Sequence, residues 1–384
     1  MILVIAKQPP TDRVASPPGK RFAVLDASRG LLALLVALGH LAYWTGNNDS
    51  LPLSFILAVD VFFILSGFVI ANSIFRGNRI SEWIGQFAVR RVFRIFPGYL
   101  VVALISAMLG LALRGFQWAP VPLAVLANVA LLLQNTGIMP GLPQGWGGQT
   151  AIGIAWTLSV EIWLGLVFFS AVALVRFRLR WLLTLLICSI SLPGLIIVSF
   201  SPSFMNVHYA TFGFVTFGVL RGFIGFSTGV LCYLAYQRIR SLRFATLLEV
   251  GLIVLIIWTY VFSGWASWTQ YLAPVYGAGL IFIYAYEAGI VSRLLRLPMF
   301  QLMGAWSFGI YICHPIFIDL YKRLEVVYAP VQIAIYVITV VLFAAALHAV
   351  VERPMIRLGA RITRKGRGGD IDNVPAQNTW AKLP

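Results

Sequence analysis

The chain is poor in charged residues, and acidic residues are the scarcest. Only 11% of its 384 residues are charged, with 13 Asp and Glu against 29 Lys and Arg, while 60% are hydrophobic. A soluble chain of this length needs far more polar surface than this composition supplies. The apolar residues instead come in runs of about 20, which is the length that crosses a hydrocarbon core. The composition therefore predicts an all-α, polytopic membrane protein.

Several signatures of soluble chemistry are also missing. The three cysteines lie inside apolar runs without pair spacing, which argues against a disulfide framework. There is no His/Cys metal spacing, no Gly-rich phosphate loop and no Gly-x-Ser-x-Gly elbow. We therefore expect no metal and no permanently bound cofactor. The net charge of +16 does not indicate nucleic-acid binding, because most Lys and Arg lie in short segments between apolar runs.

Ten apolar runs predict membrane spans, at about 26–46, 55–75, 96–114, 152–175, 181–200, 220–236, 245–263, 270–290, 302–321 and 331–351. An eleventh run, 120–134, is shorter. Six clusters of Lys and Arg fall on one side of the membrane only if that run does not cross. We therefore predict ten spans, cytoplasmic termini and a re-entrant or interfacial helix at 120–134. The membrane domain is predicted to cover 22–358, between cytoplasmic tails at 1–21 and 359–384, of which the second is expected to be disordered.

Four titratable residues share one predicted depth. The span directions place His40, Asp60, Glu161 and His314 in the outer half of the membrane. Each has a simpler explanation, because a buried polar residue often only links helices. His314, directly before Pro315, is also placed to cap a kinked helical turn. Isolated buried charges are costly, however, so four at one level predict a shared polar cavity.

Arginines lie towards the opposite, cytoplasmic face. Arg29 precedes His40 by eleven residues in the first span, a separation of roughly 16 Å along a helix axis. Arg91 and Arg94 are three residues apart and share a helical face at the mouth of the third span. Ordinary positive-inside charge is one interpretation. The other is a phosphate site, because guanidinium groups match phosphate oxygens.

These motifs, in this order, resemble the acyltransferase-3 family of integral membrane acyltransferases. The matching motifs are Arg29 with His40, Asp60 to Gly67 (which includes Ser66), Arg91 with Arg94, Trp156-Thr-Leu-Ser159-Val-Glu161, Ser307 to His314, and Val351-Glu352-Arg353-Pro354. The resemblance covers about 22–358. It implies transfer of an acyl group, usually acetyl, from acyl-CoA to a hydroxyl of a carbohydrate or another acceptor. The chain departs from the family at Ile162-Trp163, where a second acidic or amide residue is common, and at Cys313, where an aromatic residue is common.

The resemblance and the residue pattern together predict the roles in the site. His40 is expected to act as general base, because imidazole titrates near neutral pH. Glu161 or Asp60 would orient it. The acyl-CoA phosphates would bind Arg29, Arg91 and Arg94. The acceptor or cavity wall is assigned to His314, Trp156, Ser159 and Ser66, and whether His314 contacts the acceptor or the thioester oxygen stays open.

The expected partners are acyl-CoA, a glycan acceptor and membrane lipid, and the expected location is the bacterial inner membrane. The alternative is a transporter or flippase for a lipid-linked or anionic substrate, because ten spans around a polar cluster suit that function too. Release of free CoA thiol from the thioester would discriminate between the two.

Overall fold

The computed structural model describes residues 22–45, 56–75, 80–113, 132, 151–202, 204–205, 210–263, 268–322 and 329–365. Within these ranges the chain is helical apart from short connections and one two-stranded hairpin. Backbone amide and carbonyl groups inside a bilayer have to be paired within the chain, and a helix pairs them locally. The predicted all-α class is confirmed.

The first half of the described chain contains five long helices. They are α1 (Ala23–Trp44), α2 (Ile56–Ile74), α3 (Ile80–Leu113), α4 (Trp156–Val175) and α5 (Leu179–Phe200). One further turn, Ala151–Ile154, precedes α4. Within α4, residues Val160–Leu164 form a π-helical bulge.

The second half begins with a small hairpin, β1 (Thr211–Phe212) and β2 (Val215–Thr216), which leads directly into α6 (Phe217–Arg238). It continues with α7 (Ala245–Ser263), a 3-10 turn (Trp268–Leu272), α8 (Ala273–Tyr284), α9 (Ile290–Leu295), α10 (Pro298–Tyr321) and α11 (Ala329–Leu347). A second π-helical segment, His348–Glu352, joins α11 to the basic helix α12 (Arg353–Lys365).

Six helices of the described chain are long and apolar enough to cross a membrane. They are Ala23–Trp44, Ile84–Leu109, Trp156–Val175, Leu179–Phe200, Phe217–Arg238 and Pro330–Thr363. Shorter apolar helices occupy Ala58–Ile74 and Ala245–Thr259, and α8 and α10 overlap the predicted spans 270–290 and 302–321. The multi-pass class is supported, while the number ten remains a prediction. The helix predicted at 120–134 lies outside the described residues, apart from Leu132.

Two boundaries differ from the prediction. Helix α3 begins at Ile80 and continues through Pro97, so the arginines at 90, 91 and 94 belong to the same helix as the span predicted from 96. At about 1.5 Å per residue its 34 residues extend roughly 50 Å, which exceeds a hydrocarbon core. The boundary predicted at 359 falls inside α12, which continues to Lys365, and the residues after 365 lie outside the described chain.

Contacts between side chains give the relative directions of the helices. Helix α2 runs parallel to α6, because Asp60 contacts Arg221 and Phe63 lies against Phe226 further along both. Helix α3 runs antiparallel to α4, as shown by the pairs Arg91–Glu161 and Phe87–Phe169. The end of α3 and the start of α4 therefore lie at the same end of the bundle. These relative directions agree with those deduced from the basic clusters.

Helices α1 and α10 run parallel and touch through backbone atoms. A Cβ added to Gly30 would lie 2.4 Å from the carbonyl carbon of Met303, and one added to Gly304 would lie 2.4 Å from the Asp26 carbonyl oxygen. Small residues permit this approach between membrane helices. Ten residues further along the two helices lie His40 and His314, so this close contact positions the two imidazoles.

Polar contacts hold the start of α1 against α10 and the segment before α9. The Glu287 carboxylate accepts a hydrogen bond from the Val24 amide at 3.2 Å. The Gln301 amide donates to the carbonyls of Ala23 and Leu295 at 3.0 and 2.8 Å. Residues far apart in sequence thereby fix where α1 begins, and with it the height of every side chain on α1.

We predict that Gly30→Leu destabilises the protein, because the new side chain would enter the backbone of α10. Overpacking of this kind costs about 1–3 kcal/mol. The purified variant should therefore show a lower Tm than the parent. Gly194→Leu is the matched control, because a Cβ there meets no atom within 4 Å. Equal Tm values for the two variants would contradict the close contact.

Candidate active site

The imidazoles of His40 and His314 are hydrogen-bonded to each other. Nδ1 of His40 lies 3.1 Å from Nε2 of His314, and the ring planes differ by only 18°. Nδ1 of His314 lies 2.7 Å from the Tyr311 carbonyl oxygen. Trp44, one turn beyond His40, stacks on its ring with centroids 4.8 Å apart. The structure thus brings together two of the four titratable residues that the sequence places at one depth.

A tyrosine from a third helix contacts the backbone of both helices that carry this pair. The Tyr336 hydroxyl, on α11, donates to the Ala37 carbonyl of α1 at 3.2 Å, and the His314 carbonyl lies 3.5 Å from it. Tyr336 is buried. Its role is not predictable from the sequence, because a single tyrosine in an apolar run does not reveal which carbonyl it reaches.

Glu161 pairs with Arg91 and not with His40. The Glu161 carboxylate lies 2.6 Å from a terminal nitrogen of Arg91 and accepts from the Ser66 hydroxyl at 3.2 Å. The Arg91 Nε donates to the Glu161 backbone carbonyl at 3.2 Å. Glu161 belongs to the π-helical bulge of α4, and such bulges are frequent at functional sites. Ser66 is therefore part of this ion pair.

Asp60 forms a separate, two-point ion pair with Arg221. The two oxygens of Asp60 lie 3.0 Å from Nε and one terminal nitrogen of Arg221, and both residues are almost fully buried. The ring of Trp156 lies 5.8 Å from the guanidinium carbon. A buried ion pair of this geometry satisfies charges that would otherwise be very costly inside a membrane.

The four titratable groups predicted to share a cavity do not all meet in the part of the chain that the structure describes. Asp60 and Glu161 each face an arginine on a neighbouring helix, and neither hydrogen-bonds to His40 within the described chain. The physical reason is that a buried carboxylate is stabilised most by the nearest cation. His314 occupies the place beside His40 that the sequence analysis gave to Asp60 or Glu161.

A cavity of about 60 Å³ lies on the Arg29 side of the histidine pair. That is space for several water molecules or a thin chain, since one water needs roughly 10–15 Å³. Its walls combine basic, hydroxyl and aromatic side chains from five helices. The lining residues are Arg29, Val59, Phe62, Phe63, Arg94, Ile95, Thr157, Leu158, Glu161, Ser307, Phe308 and Tyr311.

The structure separates the three predicted phosphate ligands. Arg29 and Arg94 line the cavity, whereas Arg91 is engaged by Glu161 and Ser66 behind it. Within the described part of the chain, neither Arg29 nor Arg94 makes an ion pair or a hydrogen bond. The two groups are close enough to repel each other electrostatically. The wall contains one carboxylate, Glu161, which is already paired with Arg91, so two guanidinium groups beside it leave the cavity suited to binding an anion.

Tyr311 joins the cavity to the histidine pair. Its side chain lines the cavity, and its hydroxyl lies 2.8 Å from the Thr157 hydroxyl, while its carbonyl contacts His314. Neither Tyr311 nor Thr157 has a role predicted from the sequence. None of the four residues predicted for the acceptor or cavity wall lines this cavity, namely His314, Trp156, Ser159 and Ser66. The Ser159 hydroxyl donates to the Ala155 carbonyl just before α4. Among the described residues, no group of three His, Cys, Asp or Glu side chains forms a candidate metal site.

Known proteins, solved structures and a family model were compared with the chain. The chain is similar to "Protein 2 in picA locus" of Rhizobium radiobacter, with 41% identity over 96 residues. That match covers 24% of this chain and 47% of the relative, so the chain spans about half of its length. No solved structure matches the chain.

A family model described as an acyltransferase domain, that of the acyltransferase-3 family, matches residues 22–349. This match includes both histidines and every arginine of the cavity, and the chain therefore belongs to the acyltransferase-3 family of membrane acyltransferases.

Proposed function

We propose that the enzyme transfers an acyl group, with acetyl as the first candidate, from acyl-CoA to a hydroxyl of a carbohydrate-type acceptor. The observation that carries this proposal is the cavity with Arg29 and Arg94, which leads to Tyr311 beneath the histidine pair. A donor with an anionic head and a long neutral arm matches this order of groups.

In this proposal acyl-CoA binds at the part of the cavity that Arg29 and Arg94 line. The phosphates of CoA would lie against Arg29 and Arg94, and Arg91 would act indirectly by holding Glu161 at the cavity wall. The pantetheine arm is thin and uncharged, as is required along Phe62 and Phe308. Arg29 and His40 are roughly 16 Å apart along α1, a distance that an extended arm of this kind can cover.

The acid–base end is the His40 pair. His40 would remove the proton from the acceptor hydroxyl as its oxygen attacks the thioester carbonyl. The carbon–sulfur bond then breaks, and protonated His40 returns the proton to the departing thiolate. The products are an ester and free CoA. The reaction as written balances in atoms and charge without a further reactant.

The proposed orientation places the arginine end in the bacterial cytoplasm, where acyl-CoA is made, and the histidine end towards the outer side. Its support is the clustering of Lys and Arg at the ends of helices that this direction places inside. Both termini are then cytoplasmic. The acceptor hydroxyl would reach His40 from the outer side of the inner membrane.

We predict that His40→Ala abolishes acyl transfer. Loss of a general base lowers turnover by about 100- to 10,000-fold. The measurement is release of free CoA thiol by purified protein in lipid nanodiscs, with an oligosaccharide acceptor present. Tyr43→Ala is the control, because Tyr43 lies on the same helix but is 53% exposed. Normal turnover by His40→Ala would refute the assignment, and transport of a substrate without any thiol release would favour a transporter.

We predict that Arg94→Ala weakens the use of acetyl-CoA but not of acetyl-pantetheine, which lacks the nucleotide and its phosphates. Loss of a charge-assisted contact should lower kcat/KM for acetyl-CoA about 10- to 100-fold. Arg90→Ala is the matched control, because Arg90 lies on the same helix outside the cavity lining. An equal loss with both donors would show that Arg94 does not recognise the phosphates.

The orientation has its own test. An epitope tag inserted between residues 136 and 148 should be reached by antibody on intact spheroplasts. A tag at Ser241, between α6 and α7, should be reached only after permeabilisation. The reverse accessibility would overturn the proposed orientation without affecting the chemistry.

A further inference from the structure

In the structure His40 is hydrogen-bonded to His314 and not to the predicted carboxylate of Glu161 or Asp60. A catalytic imidazole is usually oriented by a carboxylate or a carbonyl at its second nitrogen. Here that place is taken by another imidazole, His314, which is fully buried. The role of this second histidine can be derived from its own hydrogen bonds.

The hydrogen bonds of His314 depend on the proline that follows it, Pro315. In an α-helix the Tyr311 carbonyl would accept from the amide of residue 315, but Pro315 has no amide hydrogen. The Tyr311 carbonyl therefore lacks its helical donor. Nδ1 of His314, 2.7 Å away, stands in that position. A carbonyl oxygen can only accept, so the hydrogen of neutral His314 is on Nδ1.

That assignment determines the other nitrogen. With its hydrogen on Nδ1, neutral His314 has a lone pair on Nε2. Nε2 lies 3.1 Å from Nδ1 of His40, so His40 has to supply the hydrogen of this bond. The Val36 carbonyl one turn earlier also contacts the ring of His40, and because a carbonyl can only accept, this contact is compatible with His40 as a donor. The basic lone pair of His40 is then on Nε2.

The opposite assignment is unfavourable. For His314 to donate from Nε2, it would have to be a doubly protonated imidazolium or turn a lone pair towards the Tyr311 carbonyl. The first is a buried cation without a carboxylate among its contacts in the described chain, and such charges are costly inside a membrane. The second places two acceptors 2.7 Å apart.

We propose that His314 is a positioning residue that holds His40 in the Nδ1–H tautomer and thereby directs the basic Nε2 towards the reacting hydroxyl. This inference rests on the proposed function of His40. When His40 accepts the proton of the acceptor hydroxyl at Nε2, its Nδ1–H remains bonded to His314. The positive charge on His40 then faces the lone pair of neutral His314 on one side and the Trp44 ring on the other. Both ring nitrogens of His314 are engaged and the residue is buried, so in this proposal it contacts neither acyl donor nor acyl acceptor.

The first test reads the tautomer directly and does not depend on catalysis. The chain has only four histidines, so nitrogen-15 spectra of histidine-labelled protein in lipid nanodiscs can be assigned by single substitutions. We expect His40 to carry its hydrogen on Nδ1, the less common tautomer of free histidine. In His314→Leu, His40 should change to the Nε2–H form. An Nε2–H form of His40 in the parent protein, or no change in His314→Leu, would overturn the proposal.

The second test is kinetic and uses three substitutions at one position. His314→Leu should lower kcat about 100-fold with the KM for acetyl-CoA unchanged. His314→Gln should recover most of that loss, because its amide oxygen can reach the position of Nε2. His314→Asn is the matched control, because the same amide on a shorter side chain cannot reach that far. A rise in KM with unchanged kcat, or equal activity of Gln and Asn, would refute the positioning role.

The two tests separate this inference from the proposed function. If His40 shows the expected tautomer but no thiol is released, the proposed reaction fails and the arrangement of the histidines stands. If thiol is released and His40→Ala is inactive, but His40 carries its hydrogen on Nε2, the positioning role fails alone.

Discussion

The backbone contact between α1 and α10 at Gly30 and Gly304 is the constraint on which the site depends. Helices that meet through larger side chains lie further apart, and two imidazoles on them would not share one hydrogen. Because the two helices run parallel, contact at the glycines also fixes the heights of His40 and His314 ten residues further on. The polar contacts of Val24 and Ala23 prevent α1 from sliding along its partner.

The carboxylates of Asp60 and Glu161 are each neutralised by an arginine. Asp60 and Glu161 each have an arginine on another helix, so these pairs hold α2 to α6 and α3 to α4. Glu161 also contributes to the cavity wall, where it faces Arg29 and Arg94 at longer range. Two arginines are therefore used to build the domain, and two others line the cavity. The distinction follows from their partners, since all four are the same residue type.

Much of the architecture could be predicted from the sequence, because hydropathy and basic clusters determine the direction of each helix. The parallel course of α1 and α10 is an example. Hydropathy and basic clusters determine the position along the axis less well: Glu161, predicted at the depth of His40, lies instead at the level of Arg29, Arg91 and Arg94. The same pattern does not determine how each helix is rotated about its own axis. The sequence therefore does not reveal that the Asp60 side chain faces Arg221. Pro315 next to His314 suggested a capped, kinked turn, and the ring of His314 does contact the freed carbonyl. That it also meets His40 depends on packing between residues 274 positions apart.

The charges of the cavity wall determine what kind of molecule the cavity favours. Arg29 and Arg94 carry like charges in surroundings that screen charge poorly. The carboxylate in the same wall, Glu161, attracts both but is already hydrogen-bonded to Arg91. The wall therefore has two guanidinium groups for one shared carboxylate. Because uncompensated charge is costly inside a membrane, such a wall discriminates in favour of an anion and against a cation or a neutral molecule of the same shape.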